Sequence, residues 1–202
     1  MIFVFDLDDT VCETDSYSEE YISKFFKDNN LPYKQVLKTT RFAEKKFDWD
    51  NETALSWYKE YGDEMMLNFP CKANSIETIN KLHDLGHKII IATARANDWH
   101  SDPEGITLKW LKINGIKYDK IYIGRIDKEA ICEEENADIF IDDDTKITKK
   151  VSEYFSTCDI SNKKSFLMTT DYNSNLEVPE SVERIVDFND FVIKLKKYGI
   201  NL

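Results

Sequence analysis

The stretch that decides the fold is Ile2-Phe3-Val4-Phe5-Asp6-Leu7-Asp8-Asp9-Thr10. Four consecutive β-branched or aromatic residues with no polar alternation read as a strand buried on both faces, the pattern of a parallel sheet. The run ends abruptly in carboxylates. In an open parallel sheet the ligand crevice lies beyond the carboxyl ends of the strands, so Asp6 and Asp8 stand where chemistry is expected.

Two other runs share this form. Lys88-Ile-Ile-Ile-Ala92 stops at Thr93-Ala94-Arg95, and Ile139-Phe-Ile141 stops at Asp142-Asp143-Asp144. A helix-like segment precedes each, Ser75–Leu85 closed by Gly86 in the first case and Lys128–Asn136 in the second, which is the alternation of right-handed βαβ units. Further strands are expected at Ile121–Gly124, Phe166–Thr169 and Arg184–Val186. Helices are expected at Gly105–Asn114, with Leu108, Trp110 and Leu111 toward the sheet, and at Phe188–Lys197. The fold class is therefore α/β, a doubly wound parallel sheet. Between the first two strands, Tyr17, Tyr21, Ile22, Phe25 and Phe26, and later Leu55, Tyr58 and Met65, repeat at helical spacing. That connection is far longer than a crossover needs. Residues 15–70 are expected to form an inserted helical subdomain on a core made of 1–14 and 71–202.

The chain has 202 residues, 42% of them hydrophobic, enough for one substantial core. Its 27 Lys and Arg against 38 Asp and Glu give a net charge of −11, which argues against duplex nucleic acid as a partner. No apolar run approaches the roughly 20 residues that cross a bilayer. With no basic, cleavable leader ahead of the first strand, a cytoplasmic location is expected. Cys12, Cys71, Cys132 and Cys158 form no CxxC pair. A calcium loop starting at Asp6 would need glycine at Val11 and glutamate at Tyr17. The glycines make no phosphate-binding loop, Gly86 separates His83 from His87, and His100 stands alone.

Carboxylates gathered at buried strand ends are costly unless a divalent cation neutralises them, and an all-oxygen set without His or Cys favours Mg²⁺. At these positions the sequence resembles the haloacid dehalogenase (HAD) superfamily of phosphohydrolases. Its first motif, hhhhDxDx(T/V), is matched by Phe3-Val-Phe-Asp-Leu-Asp-Asp-Thr10; Thr93, Lys128 and Ile141-Asp-Asp143 follow in the order of the other three. The resemblance covers Met1–Thr14 and about Cys71 to Thr145.

The resemblance implies a role for each residue. Asp6 is the nucleophile that forms an aspartyl-phosphate, and Asp8 protonates the leaving group and later activates water. Thr93, the backbone beside Ala94, and Lys128 bind phosphoryl oxygens, with Arg125 the substitute for Lys128. Arg95 either contacts substrate or forms an ion pair, and Asp9 shapes a turn or cap. Mg²⁺ is held by Asp6, the Asp8 backbone carbonyl and Asp143, with Asp142 acting through water. The insertion corresponds to a C1-type cap, and the 34 residues from 94 to 127 leave no room for a second one.

Thr107–Leu111 and Gly115–Asp119 resemble the 5′(3′)-deoxyribonucleotidase-like branch. Thr93-Ala-Arg95 is closer to small HAD phosphatases and polynucleotide 3′-phosphatase domains. The expected activity is Mg²⁺-dependent hydrolysis of a small phosphorylated metabolite, a nucleoside monophosphate first. The alternatives are a sugar phosphate, a polynucleotide 3′-phosphate, or a non-catalytic phospholigand-binding module. Most of the insertion's aromatic residues are expected to form its own core, one or two being left to stack on a base.

Overall fold

The computed structural model describes residues 1–40, 42–97, 100–158 and 163–202. Strand β1 (Ile2–Phe5) leads into helix α1 (Asp15–Asp28), a 3₁₀ turn (Ala43–Lys46) and α2 (Asn51–Asn68). The chain continues through α3 (Ser75–Asp84), β2 (Lys88–Thr93), α4 (Pro103–Ile113), β3 (Lys120–Ile123), α5 (Lys128–Glu134) and β4 (Ile139–Asp142). Helix α6 (Thr145–Thr157), β5 (Lys164–Met168), β6 (Val182–Ile185), α7 (Phe188–Leu195) and a last 3₁₀ turn (Lys196–Tyr198) complete it.

The six strands form one sheet in the order β3-β2-β1-β4-β5-β6, every pair parallel. Strand order reverses between β1 and β4, and the crevice beyond that switch point is where such sheets bind ligands. Alternate residues of each strand enter different cores, as a period of two dictates. Phe3, Phe5, Ile89, Ile91, Ile139 and Ile141 pack with Ile79 of α3, Trp110 of α4 and Phe191 of α7. Val4, Ile90, Ala92 and Phe140 face Ile131 of α5 and Val151 of α6 on the other side. Near-continuous burial of the strands follows from helices on both faces.

Among the differences from the sequence reading are the bounds of two strands and the orientation of one helix. Strand β5 starts two residues before Phe166, and β6 lies at Val182–Ile185 instead of Arg184–Val186. Helix α4 buries Thr107, Trp110 and Leu111, while Leu108 is exposed. The reason is the core on which α4 packs: the Trp110 indole donates 2.8 Å to the Phe69 carbonyl, which fixes the rotation of the helix.

The two ends of the helical insertion meet where Cys12 and Cys71 pair in a single antiparallel bridge. Within it Phe25, Phe26, Phe47, Trp57 and Tyr61 are buried, Tyr17, Tyr21, Trp49 and Tyr58 are half-buried, and Phe42 is exposed. Among the described residues no helix is long and apolar enough to cross a membrane.

Candidate active site

The pairing of β1 with β4 sets Phe5 opposite Ile141, so the next residues, Asp6 and Asp142, lie side by side at the ends of their strands. The Asp6 amide donates 3.0 Å to the Ile141 carbonyl and locks that register. Carboxylate oxygens of Asp6, Asp142 and Asp143 lie within 4.8 Å of one another, and all three residues are buried. Lys128, the first residue of α5, projects from the helix N-terminus between two of them. Its Nζ donates to Asp6 Oδ1 at 2.5 Å and to Asp142 Oδ2 at 2.6 Å. The main chain completes the frame: the Asp144 amide donates 2.8 Å to Asp142 Oδ1.

One lysine does not balance three buried carboxylates. Burial raises the Asp6 carboxyl to about 7, with Lys128 offsetting part of the shift. Asp143 is pushed well above the usual carboxylate range by burial and then by the charges of Asp142 and Asp6. Burial works against the Lys128 ammonium, but Asp142 and Asp6 hold it firmly protonated. This cluster of oxygen donors with an excess of negative charge fits a hard divalent cation.

The loop after β1 is a tight turn in which Leu7 O accepts from the amides of Thr10, Val11 and Cys12. Asp9 takes a left-handed conformation, φ 52°, which aspartate tolerates better than most residues. Its Oδ1 accepts from the amides of Thr14 at 2.9 Å and Asp15 at 3.0 Å, serving the start of α1 where Thr14 makes no side-chain cap. This is the turn-and-cap role expected for Asp9.

Asp8 and Arg95 form a clamp. Arg95 Nε lies 3.0 Å from Asp8 Oδ2 and Nη2 lies 2.7 Å from Oδ1, a two-pronged contact. The guanidinium is packed near the rings of Phe69 and Trp110, at 5.8 and 5.6 Å from their centres. Only 3% of the Arg95 side chain is exposed, against 37% for Asp8, so the carboxylate is the accessible partner. Of the two roles open to Arg95, the ion pair is the one present. Burial acts to raise the Asp8 carboxyl, but the charge and hydrogen bonds of Arg95 prevail and hold it below its usual range.

Thr93 ends β2 and is wholly buried; its hydroxyl lies 3.4 Å from the Arg95 amide. Ala94 follows it in an exposed position. Arg125 pairs with Glu134 at 2.7 Å, away from the cluster, and is not needed as a substitute for Lys128.

Three residues near the site have no motif to announce them. His100 is not isolated: its Nδ1 lies 3.6 Å from Asp63 Oδ1 on α2. Burial first, and then the Arg95 charge, keep its imidazole below the ordinary pKa. Next to it the Ser101 amide donates 3.1 Å to Asp63, tying the insertion to the β2–α4 loop. The other two, Tyr172 and Asn173, follow β5. The Tyr172 hydroxyl donates to the Asp143 carboxylate, and Asn173 Nδ2 donates 2.8 Å to the Asp143 carbonyl. The signal available was a tyrosine within an otherwise polar loop, Thr169-Thr-Asp-Tyr-Asn-Ser-Asn175.

No protein-family model and no curated protein matches the sequence. Solved structures do match the fold. A haloacid dehalogenase-like family hydrolase from Streptococcus pneumoniae aligns with a TM-score of 0.64 at 11% identity, over 96% of this chain and 97% of its own. YfnB of Bacillus subtilis, solved bound to magnesium, aligns at 0.61 and 14% identity, over 96% and 98%. A Thermotoga maritima protein whose assigned activity is β-phosphoglucomutase aligns at 0.65 and 11% identity, over 97% and 98%. The fold is that of the haloacid dehalogenase-like hydrolases with which the chain aligns.

Proposed function

We propose that this chain is a Mg²⁺-dependent phosphomonoesterase working through an aspartyl-phosphate on Asp6, with the insertion of residues 15–70 as a C1-type cap. The observation that carries the reading is the cluster of Asp6, Asp142 and Asp143 bridged by Lys128 at the switch point of the sheet. Asp6, Asp143 and the Asp8 carbonyl would hold Mg²⁺, with Asp142 acting through water; the ion would offset the repulsion between a carboxylate and an anionic ester.

The remaining steps belong to the side chains. Lys128 fixes the Asp6 carboxylate and adds positive charge beside the transferred group. Thr93 and the backbone around exposed Ala94 offer donors to phosphoryl oxygens. Asp8 enters ionised, the form that takes a proton from the water cleaving the intermediate. To protonate a departing alkoxide it must first gain a proton, and Arg95 must loosen its grip.

A nucleoside monophosphate is the leading substrate, within the wider class of small phosphorylated metabolites. The half-buried Tyr17 supports this: its ring lies 6.0 Å from that of Phe69, which in turn flanks Arg95. A base stacked on Tyr17 would sit close to the clamp. The free state of all four cysteines agrees with a cytoplasmic location. The Asp8–Arg95 clamp favours one second reading, a phospholigand-binding module that performs no proton transfer.

Turnover of p-nitrophenyl phosphate with and without Mg²⁺ separates the two. Asp6→Asn should lower kcat by on the order of 10⁴-fold or more with the fold intact. A wild-type protein inert with every metal would leave the binding module. Comparing kcat/KM across nucleotides and sugar phosphates then tests the substrate, and equal values throughout would remove the nucleotide.

A further inference from the structure

Asp143 differs from its two neighbours in how it is held. Asp6 and Asp142 share the Lys128 ammonium, whereas among the described residues Asp143's carboxylate is met by hydroxyls. Tyr172 donates to Oδ2, and Thr10 makes a long 3.4 Å contact to Oδ1.

The loop that delivers Tyr172 is braced from the edge of the sheet. Asn173, fully buried, donates 2.8 Å to the Asp143 carbonyl and 2.8 Å to the Met168 carbonyl. Its Oδ1 accepts from the Thr170 amide at 3.0 Å and from Arg184 Nη1 at 3.0 Å. Arg184, on β6, also donates through Nη2 to the carbonyls of Asn173 at 3.1 Å and Leu176 at 2.8 Å. Neither the loop nor Arg184 belongs to the phosphate chemistry described above, yet together they fix both the main chain and the side chain of Asp143.

Tyr172 has one proton to share between the Asp143 carboxylate and, at 3.0 Å, the Asp143 carbonyl. With a cation bound, Asp143 is ionised and its carboxylate is the stronger acceptor, and Asn173 already serves the carbonyl. Oδ2 is thereby pinned, while Oδ1, met among the described residues only by the long Thr10 contact, is the oxygen left for a cation.

We propose that Tyr172 is a positioning residue that orients Asp143 so that the site selects a small cation of strict geometry over a larger one. The proposal rests on the reading of Asp143 as a cation ligand. Mg²⁺ demands near-octahedral oxygens at about 2.0–2.1 Å, whereas Ca²⁺ accepts irregular shells at about 2.3–2.6 Å. Fixing one carboxylate therefore favours Mg²⁺, and freeing it penalises Mg²⁺ more. Hydrogen-bond partners of metal ligands are typically worth about 10–100-fold in affinity.

The test is calorimetric titration of Mg²⁺ and, separately, Ca²⁺ into the wild-type protein, Tyr172→Phe and Asp143→Asn, with no substrate present. Tyr172→Phe keeps the ring and removes one oxygen. It should weaken Mg²⁺ about 10-fold or more and Ca²⁺ several-fold less. An unchanged Mg²⁺ affinity, or equal losses for both ions as general loosening would give, overturns the role of Tyr172. An Asp143→Asn variant that binds Mg²⁺ like the wild type overturns the cation-ligand reading itself.

Discussion

Two buried lysines each bridge two carboxylates in this molecule, and they differ in what surrounds them. In the core, Lys128 joins Asp6 at 2.5 Å to Asp142 at 2.6 Å. In the helical insertion, Lys46 joins Asp15 at 2.6 Å to Glu19. Side-chain exposure is 6% and 0% for the core carboxylates but 16% and 35% for those of the insertion. The core adds a third buried carboxylate, Asp143, and so gathers more carboxylates than one lysine can neutralise where water does not reach. The insertion sets two carboxylates against its lysine, in a cluster that water reaches. The same ion triplet is thus a structural tie in one place and, on the proposed function, half of a cation site in the other, because charge count and solvent access set its demand.

The largest effect expected from this contrast is catalytic. If the proposed function holds, Lys128→Met should lower the phosphatase rate on the order of 10²–10³-fold, as loss of a preorganised charge at a transition state does. Lys46→Met should leave kcat within about threefold and act on stability instead. Steady-state kinetics of both variants on one substrate decide it. A Lys46 variant as crippled as the Lys128 variant would move the insertion lysine into the substrate site and erase the distinction.

Next in size is the coupling of stability to pH and metal. Without metal, the Asp6 carboxyl titrates at about 7 in the folded protein, against its ordinary 3.8. Between about pH 4 and 7 the native state therefore binds more protons than the unfolded state, and stability falls as pH rises through that window. Asp143 shifts in the same direction. So does Asp15 in the insertion, raised by burial to about 6 despite Lys46. Mg²⁺ distinguishes the regions, since it should relieve the loss at the core cluster and leave that of Asp15 untouched. Urea midpoints from pH 4 to 8, in EDTA and in Mg²⁺, should diverge increasingly toward pH 8. Curves that stay parallel would mean that the core cluster, like the insertion's, needs no cation.

The core half of this contrast was legible in the sequence and the insertion half was not. Runs such as Phe3–Phe5 and Ile139–Ile141 can only be strands of a sheet covered on both faces, and carboxylates at their ends then converge at the switch point. Helix α6 escaped notice because its inner face is partly polar. Thr148 and Ser152 are buried beside Val151 and Phe155, and the Thr148 hydroxyl is satisfied by the Asp144 carbonyl at 2.9 Å. Helical spacing of apolar residues is diluted there. Lys46, His100, Tyr172 and the choice of Asp8 as partner for Arg95 depend on loops meeting in space. No local period encodes such meetings; the ion pair at Lys46 closes across 31 residues and the clamp across 87.

The smallest effect tests whether the insertion's triplet is really the wetter one. Glu19→Gln removes one charge from Lys46 and leaves the 2.6 Å bond to Asp15 in place. Glutamine retains an acceptor at nearly the same reach, and a side chain 35% exposed recovers hydration that a dry one would lose. The cost should stay within the range of surface ion pairs, about 1 kcal/mol or less, which lowers the melting temperature of a chain this long by roughly 2–4 °C at most. In 1 M salt, where the screening length falls to about 3 Å, the difference between variant and wild type should shrink further. A salt-independent loss of about 3 kcal/mol or more would show instead that this lysine holds its carboxylates in an interior as dry as that of Lys128. The difference between the two clusters would then reside in the third carboxylate alone.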